Sequence, residues 1–576
     1  MNETLRRYRQ VDYRLPKTYL AWDLFGAGLD HLGRGGKPVE HPLRDPAPDE
    51  ILLRVDAIGL CFSDAKLVWA GNEHPRIRGR DLAGDPTVPG HEAALTVVKA
   101  GSNWKDRFAI GQRFIIQADL FVGGRQRAFG YVHRGALAQF TYAGPDILAG
   151  DDGCYLLPIA EKTGYAEAAL VEPWACVEHA YHLKARVAAK PGGRALAIDS
   201  GDNNRADIDR LYADGAGPAL LVLLGRPAGD WNALGAGRIE EISARVSPEA
   251  VARLSAEFTE GAGFDDIYLL GPADAGLVAA CDAALAKGGC LVFAGTGAAA
   301  AAIDIGRAHY HDTRHIGAAD GRLARAYTAN TREELAAGGL CWMAGAAGPM
   351  GQMHVQRALE LEAPPQMVYC TDLSSERLAY MQTRLEPLAR RAGVDLRCVN
   401  SRDVPDLDAA LRDVTSGRGF DDVYVHAPVA KVVEQCARHI APEGVLNIFA
   451  GVALGTLATV SPDLFAAGHA RMIGSSGSSM DDIRGVLAKV EAGRLATRMS
   501  LAALGGVEAG WQGLKGVKEN AFLGKTVLFP AARDVPLLTA DRLAEVSPGA
   551  AAALESGSVW TNGAEDILLS ERLVLD

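Results

Sequence analysis

The sequence has no pair of cysteines at the C-x2–4-C spacing of a structural zinc site. Its nine cysteines (Cys61, Cys154, Cys176, Cys281, Cys290, Cys341, Cys370, Cys398 and Cys436) are spread too thinly over 576 residues for a disulfide scaffold. Their default role is a small buried apolar side chain. Long hydrophobic runs are also missing. The run ending at Leu224 falls far short of the ~20 apolar residues a membrane-spanning helix needs. No apolar stretch of signal-peptide length follows Arg6 and Arg7. Basic charge is in deficit: 59 Lys+Arg stand against 71 Asp+Glu, a formal net charge of −12. Nucleic acid and anionic membrane both attract basic surfaces, so neither is expected as a partner. A cytoplasmic location with reduced thiols is expected.

What is present is the composition of a soluble globular protein, with 48% hydrophobic and 23% charged residues. That excludes a disordered chain, a collagen and a coiled coil. Residues 1–185 read as β-rich. Ile51 to Ile58, Leu95 to Val98 and Phe114 to Ile116 are strand-like, with Gly and Pro between them. From about residue 190, short apolar strands alternate with segments of helical period, which argues for βαβ units and a parallel sheet. An internal repeat lies in this second region. Gly261-Ala-Gly-Phe-Asp-Asp-Ile-Tyr268 resembles Gly417-Arg-Gly-Phe-Asp-Asp-Val-Tyr424, an offset of 156 residues (417 less 261). The match runs on to Phe293-Ala294-Gly295 and Phe449-Ala450-Gly451. With one residue inserted it reaches Ile316-Gly317 and Ile473-Gly474. Two Rossmann-like units are expected, about 186–335 and 336–500.

The second unit carries a dinucleotide signal. Leu340 to Ala344 reads as a strand. Gly345-Ala346-Ala347-Gly348-Pro349-Met350-Gly351 follows, then a helical run from Gln352 and a strand from Gln366 that ends at Asp372. Gly348 would let the backbone approach a pyrophosphate, Gly351 would allow close helix–strand packing, and the helix N-terminus would face the phosphates. Asp372 would accept hydrogen bonds from the ribose hydroxyls and repel a 2′-phosphate, which favours NAD over NADP. Arg377 would lie along the adenosine end or in solvent. The usual first glycine is Ala346, with Gly345 just before it. In the first unit Asn203 and Ala206 stand at the glycine positions, Asp202 places a carboxylate near the phosphates, and Gly225-Arg226 replaces the acid. That unit is expected to be degenerate.

In the N-terminal region Gly59-Leu-Cys61-Phe-Ser63-Asp64, Pro89-Gly90-His91-Glu92 and Glu172-Pro173-Trp174 stand out. These strings resemble the zinc-containing medium-chain dehydrogenases, the alcohol and sorbitol dehydrogenase superfamily. Gly135-Ala-Leu-Ala-Gln-Phe140 and the closing strand Gly524-Lys525-Thr-Val-Leu-Phe529 fit the same pattern. The resemblance implies an α/β architecture. A GroES-like β-rich catalytic domain at 1–185, completed by about 500–576, would be joined to the two tandem Rossmann-like doubly wound units. It also implies one catalytic zinc held by Cys61, His91 and Glu172, with Glu92 either a ligand or a close carboxylate that exchanges with water. Ser63 would relay a proton and Asp64 would support the site. No cysteine lies between Cys61 and Cys154, so the family's four-cysteine structural zinc lobe is not expected.

The resemblance points to an NAD-dependent zinc oxidoreductase acting on a secondary alcohol or ketone, with a polyol, cyclitol or sugar derivative as substrate and a homodimer or homotetramer as assembly. Two other readings use the same residues: a redox-neutral lyase or epimerase with tightly held NAD, and a non-catalytic dinucleotide-binding protein. The loop Gly71 to Arg80, with Arg76, Arg78 and Arg80, either meets an anionic substrate such as a sugar phosphate or is solvated. His309, His311 and His315 are expected in a polar loop, with a second metal site as the lesser alternative.

Overall fold

The computed structural model describes residues 2–182, 186–201, 206–212, 216–573 and 575. They form two compact units, Met1–Glu178 with Gly477–Asp576, and His179–Ser476.

The first unit is built on antiparallel strands. β1 (Ile51–Leu60) is buried along its whole length; it is apolar except for Arg54 and Asp56, which pair with each other at 2.7 Å. It pairs with β2 (Glu92–Ala100), which pairs in turn with β3 (Arg113–Ile116). β4 (Phe140–Ala143) lies on the start of β1, and β5 (Leu156–Pro158) closes the β3 edge. The core behind them gathers Trp22, Leu53, Leu95, Phe114, Phe129 and Tyr131. Helix α1 (Phe62–Ala70) follows β1 directly, and α2 (Val171–His179) begins beside Glu172.

The second unit contains both repeats. The first supplies β6 (Arg194–Asp199), β7 (Leu220–Leu224), β8 (Ile239–Ile242), β9 (Phe264–Leu270), β10 (Leu285–Ala294), β11 (Ala301–Asp304), α3 (Ile305–His311) and β12 (Arg314–Ala318). The second supplies β13 (Leu340–Ala344), α4 (Pro349–Leu359), β14 (Met367–Asp372), α5 (Ser375–Ala392), β15 (Asp395–Asn400), β16 (Phe420–Val425), β17 (Ile440–Ile448), β18 (Leu457–Val460) and β19 (Arg471–Gly474). One twelve-stranded sheet runs β8-β7-β6-β9-β10-β12-β19-β17-β16-β13-β14-β15. Each half has the doubly wound order, with the crossover next to the first strand.

The duplication is visible in hydrogen bonds as well as in sequence. Asp266 accepts from Arg186 Nη2 (2.7 Å) and the Lys190 N–H (2.9 Å), and Asp265 accepts from the Arg194 N–H (2.8 Å). In the second repeat Asp422 accepts from Arg332 Nη1 (2.6 Å) and the Ala336 N–H (2.8 Å), and Asp421 accepts from the Leu340 N–H (2.8 Å).

The repeats differ where a nucleotide would sit. β13 leads into α4, whereas the described residues between β6 and β7 hold no α-helix. Asp202 and Asn203 lie outside the described residues. Ile198 pairs with Leu224 as Ala344 pairs with Thr371, so Gly225 is the counterpart of Asp372. The first repeat therefore has no acid at the ribose position.

The three histidines depart from the expected loop. His309 and His311 are on α3, and His315 is buried on β12 with Nε2 2.9 Å from Asp282 Oδ1. The carboxylate pairs with Nε2 inside the core, and Nδ1 is buried without a hydrogen-bond partner.

After the second unit the chain returns to the first. β20 (Leu501–Gly505), β21 (Lys525–Leu528) and β22 (Leu538–Thr539) extend its sheet, with β21 antiparallel to β1. Among the described residues no helix is long and apolar enough to cross a membrane.

Candidate active site

Cys61 is the hinge between β1 and α1, an extended residue that caps the helix. The Cys61 N–H donates to Asp64 Oδ2 (3.0 Å), and Ser63 Oγ donates to Cys61 Sγ (3.1 Å). The other oxygen of Asp64 accepts from the Gly90 N–H (3.0 Å) and from His91 Nδ1 (2.8 Å). One buried carboxylate thus ties the Cys61 hinge to the His91 loop. With Nδ1 donating to Asp64, His91 presents Nε2 as its free nitrogen. Ser63 Oγ lies 3.3 Å from that nitrogen.

Glu92 opens β2 beside His91. Donor atoms of Cys61, His91 and Glu92 all lie within 4.8 Å of one another. Thiolate, imidazole and carboxylate at this spacing fit a zinc ion. One oxygen of Glu92 forms an ion pair with Lys525 on β21, and both side chains are buried. Burial works against the charge on Lys525, but Glu92, Cys61 and Glu172 together outweigh it and hold the ammonium above its ordinary range. The other oxygen of Glu92 is buried without a partner, which fits a carboxylate donor to a metal. Glu172, on the first turn of α2, stands outside the three-donor group. Burial lifts its carboxyl to about 7; the His91 charge opposes that rise and the Glu92 and Asp119 charges add to it.

Tyr131 and Lys525 are site residues that sequence reasoning missed. The Tyr131 ring lies 5.8 Å from His91 and 5.3 Å from His74, and the Arg76 guanidinium sits 4.8 Å from its centroid. Its hydroxyl interacts with Ser63, and burial pushes its pKa to about 12. No motif marks Tyr131. A charged residue on the short, fully buried strand Lys525–Leu528 was the one available signal for Lys525. The arginine loop divides in function. Arg80 is consumed by the Val132 carbonyl (2.7 Å) and Asp85, and Arg76 pairs with Asp119 at 3.0 Å. Arg78 is exposed and makes no ion pair among the described residues.

In the second unit, the turn from β13 to α4 has the form the sequence suggests. Gly345 takes the left-handed conformation (φ 77°), so Ala346 can stand where a glycine is usual. Gly348 precedes Pro349 and Met350 at an α4 N-terminus that no side chain caps, and nothing lies within 4 Å of where its Cβ would stand. Gly351 packs so closely that a Cβ would meet the Ala346 carbonyl oxygen at 2.5 Å. Asp372 reaches back to the turn and accepts from the Ala347 N–H at 3.1 Å. This open, uncapped helix end with a neighbouring acid fits a nicotinamide dinucleotide. Arg377, on the first turn of α5, is only 8% exposed and so is packed rather than solvated. Sequence reasoning also missed two histidines. His354 on α4 lies 2.8 Å from the Tyr181 hydroxyl, and its ring is 4.5 Å from that of His426 at the end of β16. Burial drives both below their ordinary range, His426 to about 3.

An antiparallel unit with a cysteine–histidine–glutamate donor group, together with a doubly wound sheet bearing a dinucleotide turn, is the pattern of a zinc-binding dehydrogenase. The alcohol dehydrogenase GroES-like domain family matches residues 47–178, and the zinc-binding dehydrogenase family matches residues 349–492. Both matched regions are those of the zinc-containing medium-chain dehydrogenase superfamily, and zinc and NAD are the cofactors their residues fit. It is 22% identical over 532 residues to the mannitol-1-phosphate 5-dehydrogenase of Aliivibrio fischeri, covering 90% of this chain and 92% of that one. It is 29% identical over 292 residues to the L-sorbose 1-phosphate reductase of Klebsiella pneumoniae, covering 47% of this chain and 70% of that one. An alcohol dehydrogenase of Thermotoga maritima shares the fold, with a TM-score of 0.51 at 12% identity over 89% of this chain and 99% of its own.

Proposed function

We propose that the chain is a cytoplasmic oxidoreductase that moves a hydride between NAD(H) and a secondary alcohol or ketone, on a polyol or sugar derivative that carries a phosphate ester. The observation that carries the chemistry is Asp64, which holds Cys61 and His91 together beside Glu92. The phosphate is supported by the two relatives named for 1-phosphate substrates. It is also supported by Arg76 and His74, which share the Tyr131 ring with His91, and by the exposed Arg78. Arginine is the side chain best suited to phosphate oxygens.

Held by Cys61, His91 and a glutamate, zinc would supply a Lewis acid that lowers the pKa of a substrate hydroxyl, and NAD would supply the hydride acceptor. The chain's own residues do the rest. Asp64 fixes the His91 tautomer and keeps Nε2 for the metal. Ser63 Oγ, beside both Cys61 Sγ and His91 Nε2, is placed to pass on the substrate proton, and the Tyr131 hydroxyl is next in line. Glu92 and Glu172 are the two candidates for the third ligand, and Lys525 offsets their charge. Asp372 would hold the ribose hydroxyls and disfavour a 2′-phosphate.

The test is a screen of the zinc-loaded protein with NAD(H) over polyols, cyclitols and sugars, each with and without a phosphate ester. NADH should accumulate with alcohols, and Arg78→Glu should raise KM for the ester and leave the parent alcohol unaffected. Substrate consumed without net NADH would replace the dehydrogenase reading with redox-neutral chemistry. A preference for the unphosphorylated substrate would remove the phosphate.

A further inference from the structure

The two halves of the twelve-stranded sheet meet in an unusual way. Their strand orders are mirror images about the β12–β19 junction, which is the sheet's antiparallel step. At that step His315 stands opposite Met472. The repeat offset that aligns Ile316-Gly317 with Ile473-Gly474 makes Met472 the counterpart of His315 itself. β11 and β18 show the same property. Ala301 pairs with Val460 and Asp304 with Leu457, while the 156-residue offset makes Leu457 the counterpart of Ala301 and Val460 that of Asp304. The paired positions exchange under the repeat, which is the signature of a two-fold, isologous contact.

The glycines of the shared Ile-Gly pair serve this contact. A Cβ on Gly317 would stand 2.8 Å from the Ala466 nitrogen, and one on Gly474 would stand 2.6 Å from the Ala308 carbonyl oxygen. Phe293 of the first repeat stacks on Phe465 of the second at 5.5 Å. Two unrelated units docked side by side would have no reason to place residues opposite their own counterparts. A unit that once paired with a copy of itself would place them so.

We infer that the first repeat is a built-in partner, which occupies the sheet edge and β-ribbon face through which the second repeat would otherwise pair with another copy of the same fold. The chain carries its own isologous pair, and this edge is closed to a second chain. A dimer or tetramer of the kind the family resemblance implies must use another face. Loss of nucleotide features around Gly225 is tolerated because the first repeat is retained for its edge.

Facing cysteines test this in the full chain. Ala302 and Thr459 are opposite each other on the outward face of the β11–β18 pair, with Cβ atoms about 5 Å apart as in other antiparallel pairs. Mild oxidation of the Ala302→Cys, Thr459→Cys double variant should link 302 to 459 within one chain. The denatured species should keep the mass of a single chain at every protein concentration, with each single variant as control. A link between two chains would overturn the inference, and so would no link while both thiols react with a maleimide. Hydrogen exchange on the unmodified protein covers a variant that fails to fold. Amides of β11 and β18 should stay protected on dilution, and protection that fell with dilution would show that a second chain provides the pairing.

Discussion

Asp64→Asn changes one atom of a carboxylate that accepts from three N–H groups, those of Cys61, Gly90 and His91, at 2.8–3.0 Å. An amide has one acceptor oxygen. Turned toward Gly90 and His91, it keeps the His91 tautomer but sets its NH2 against the Cys61 N–H. Turned the other way, it sets the NH2 against both remaining donors. The first orientation costs less, because it leaves a single buried donor unpaired at about 1–3 kcal/mol. Loss of a carboxylate that orients a ligating histidine weakens metal binding by about 10–100-fold, which is about 1.4–2.7 kcal/mol. The two routes agree in size. The assay is zinc affinity at neutral pH, by competition with a chromogenic chelator, together with the unfolding midpoint of the metal-free protein. We expect the dissociation constant to rise by about 10–100-fold, with a lower midpoint as the Cys61 cap loosens. A folded variant whose affinity stayed within a factor of about three, below the smallest effect such partners show, would refute the role given to Asp64.

Lys525→Met leaves Glu92 buried and unpaired, so chemical denaturation should show a loss of about 3–5 kcal/mol; adding Glu92→Gln should restore most of it, and failure to do so would place the loss elsewhere. Gly351→Ala drives a methyl toward the Ala346 carbonyl oxygen and should abolish dinucleotide binding, measured by fluorescence titration, with zinc content unchanged; retained affinity would show the turn is not the binding site. His426 has a folded pKa of about 3 against an ordinary 6.5 because of its burial. The unfolded chain therefore binds the proton first: stability is full above about pH 6.5 and falls below it by about 1.4 kcal/mol per pH unit from this ring. Denaturation at pH 7 and pH 5 should show at least that slope, since buried His354 acts in the same direction, and His426→Leu should reduce it by about 1.4 kcal/mol per pH unit; an unchanged slope in the variant would assign the acid sensitivity to other groups.

Features that are local in the chain were legible in the sequence. The strand, turn, helix, strand and acid from Leu340 to Asp372 occur in that order, and β13, α4 and β14 fall on them. Cys61, Ser63, Asp64, His91 and Glu92 were legible as short strings, because α1 starts on the residue after Cys61 and β2 on the residue after His91. What escaped depends on tertiary pairing. Lys525 lies 433 residues from Glu92 and reaches it only because β21 lies against β1. Tyr131 joins His91 to Arg76 through ring packing that leaves no spacing pattern. His315 looked like part of a polar cluster because nothing in its neighbourhood announces Asp282, which sits 33 residues earlier.

The two repeats show which parts of a nucleotide-binding fold are held by folding and which by ligand. Both keep the paired aspartates on the fourth strand of their half, Asp265-Asp266 and Asp421-Asp422. In both, these residues bond the backbone leading into the first strand and an arginine just before it. That network fixes the central strands, and each copy needs it whether or not a dinucleotide is present. Both copies also keep the Ile-Gly pair, which lets the halves approach each other. The glycines after the first strand and the acid at the end of the second are the features the first repeat's sequence lacks, with Asn203 and Ala206 for Gly348 and Gly351, and Gly225 where the second has Asp372. A unit without function would be free to lose both sets. A unit retained as an intramolecular partner would lose only the ligand set, and the first repeat has done so.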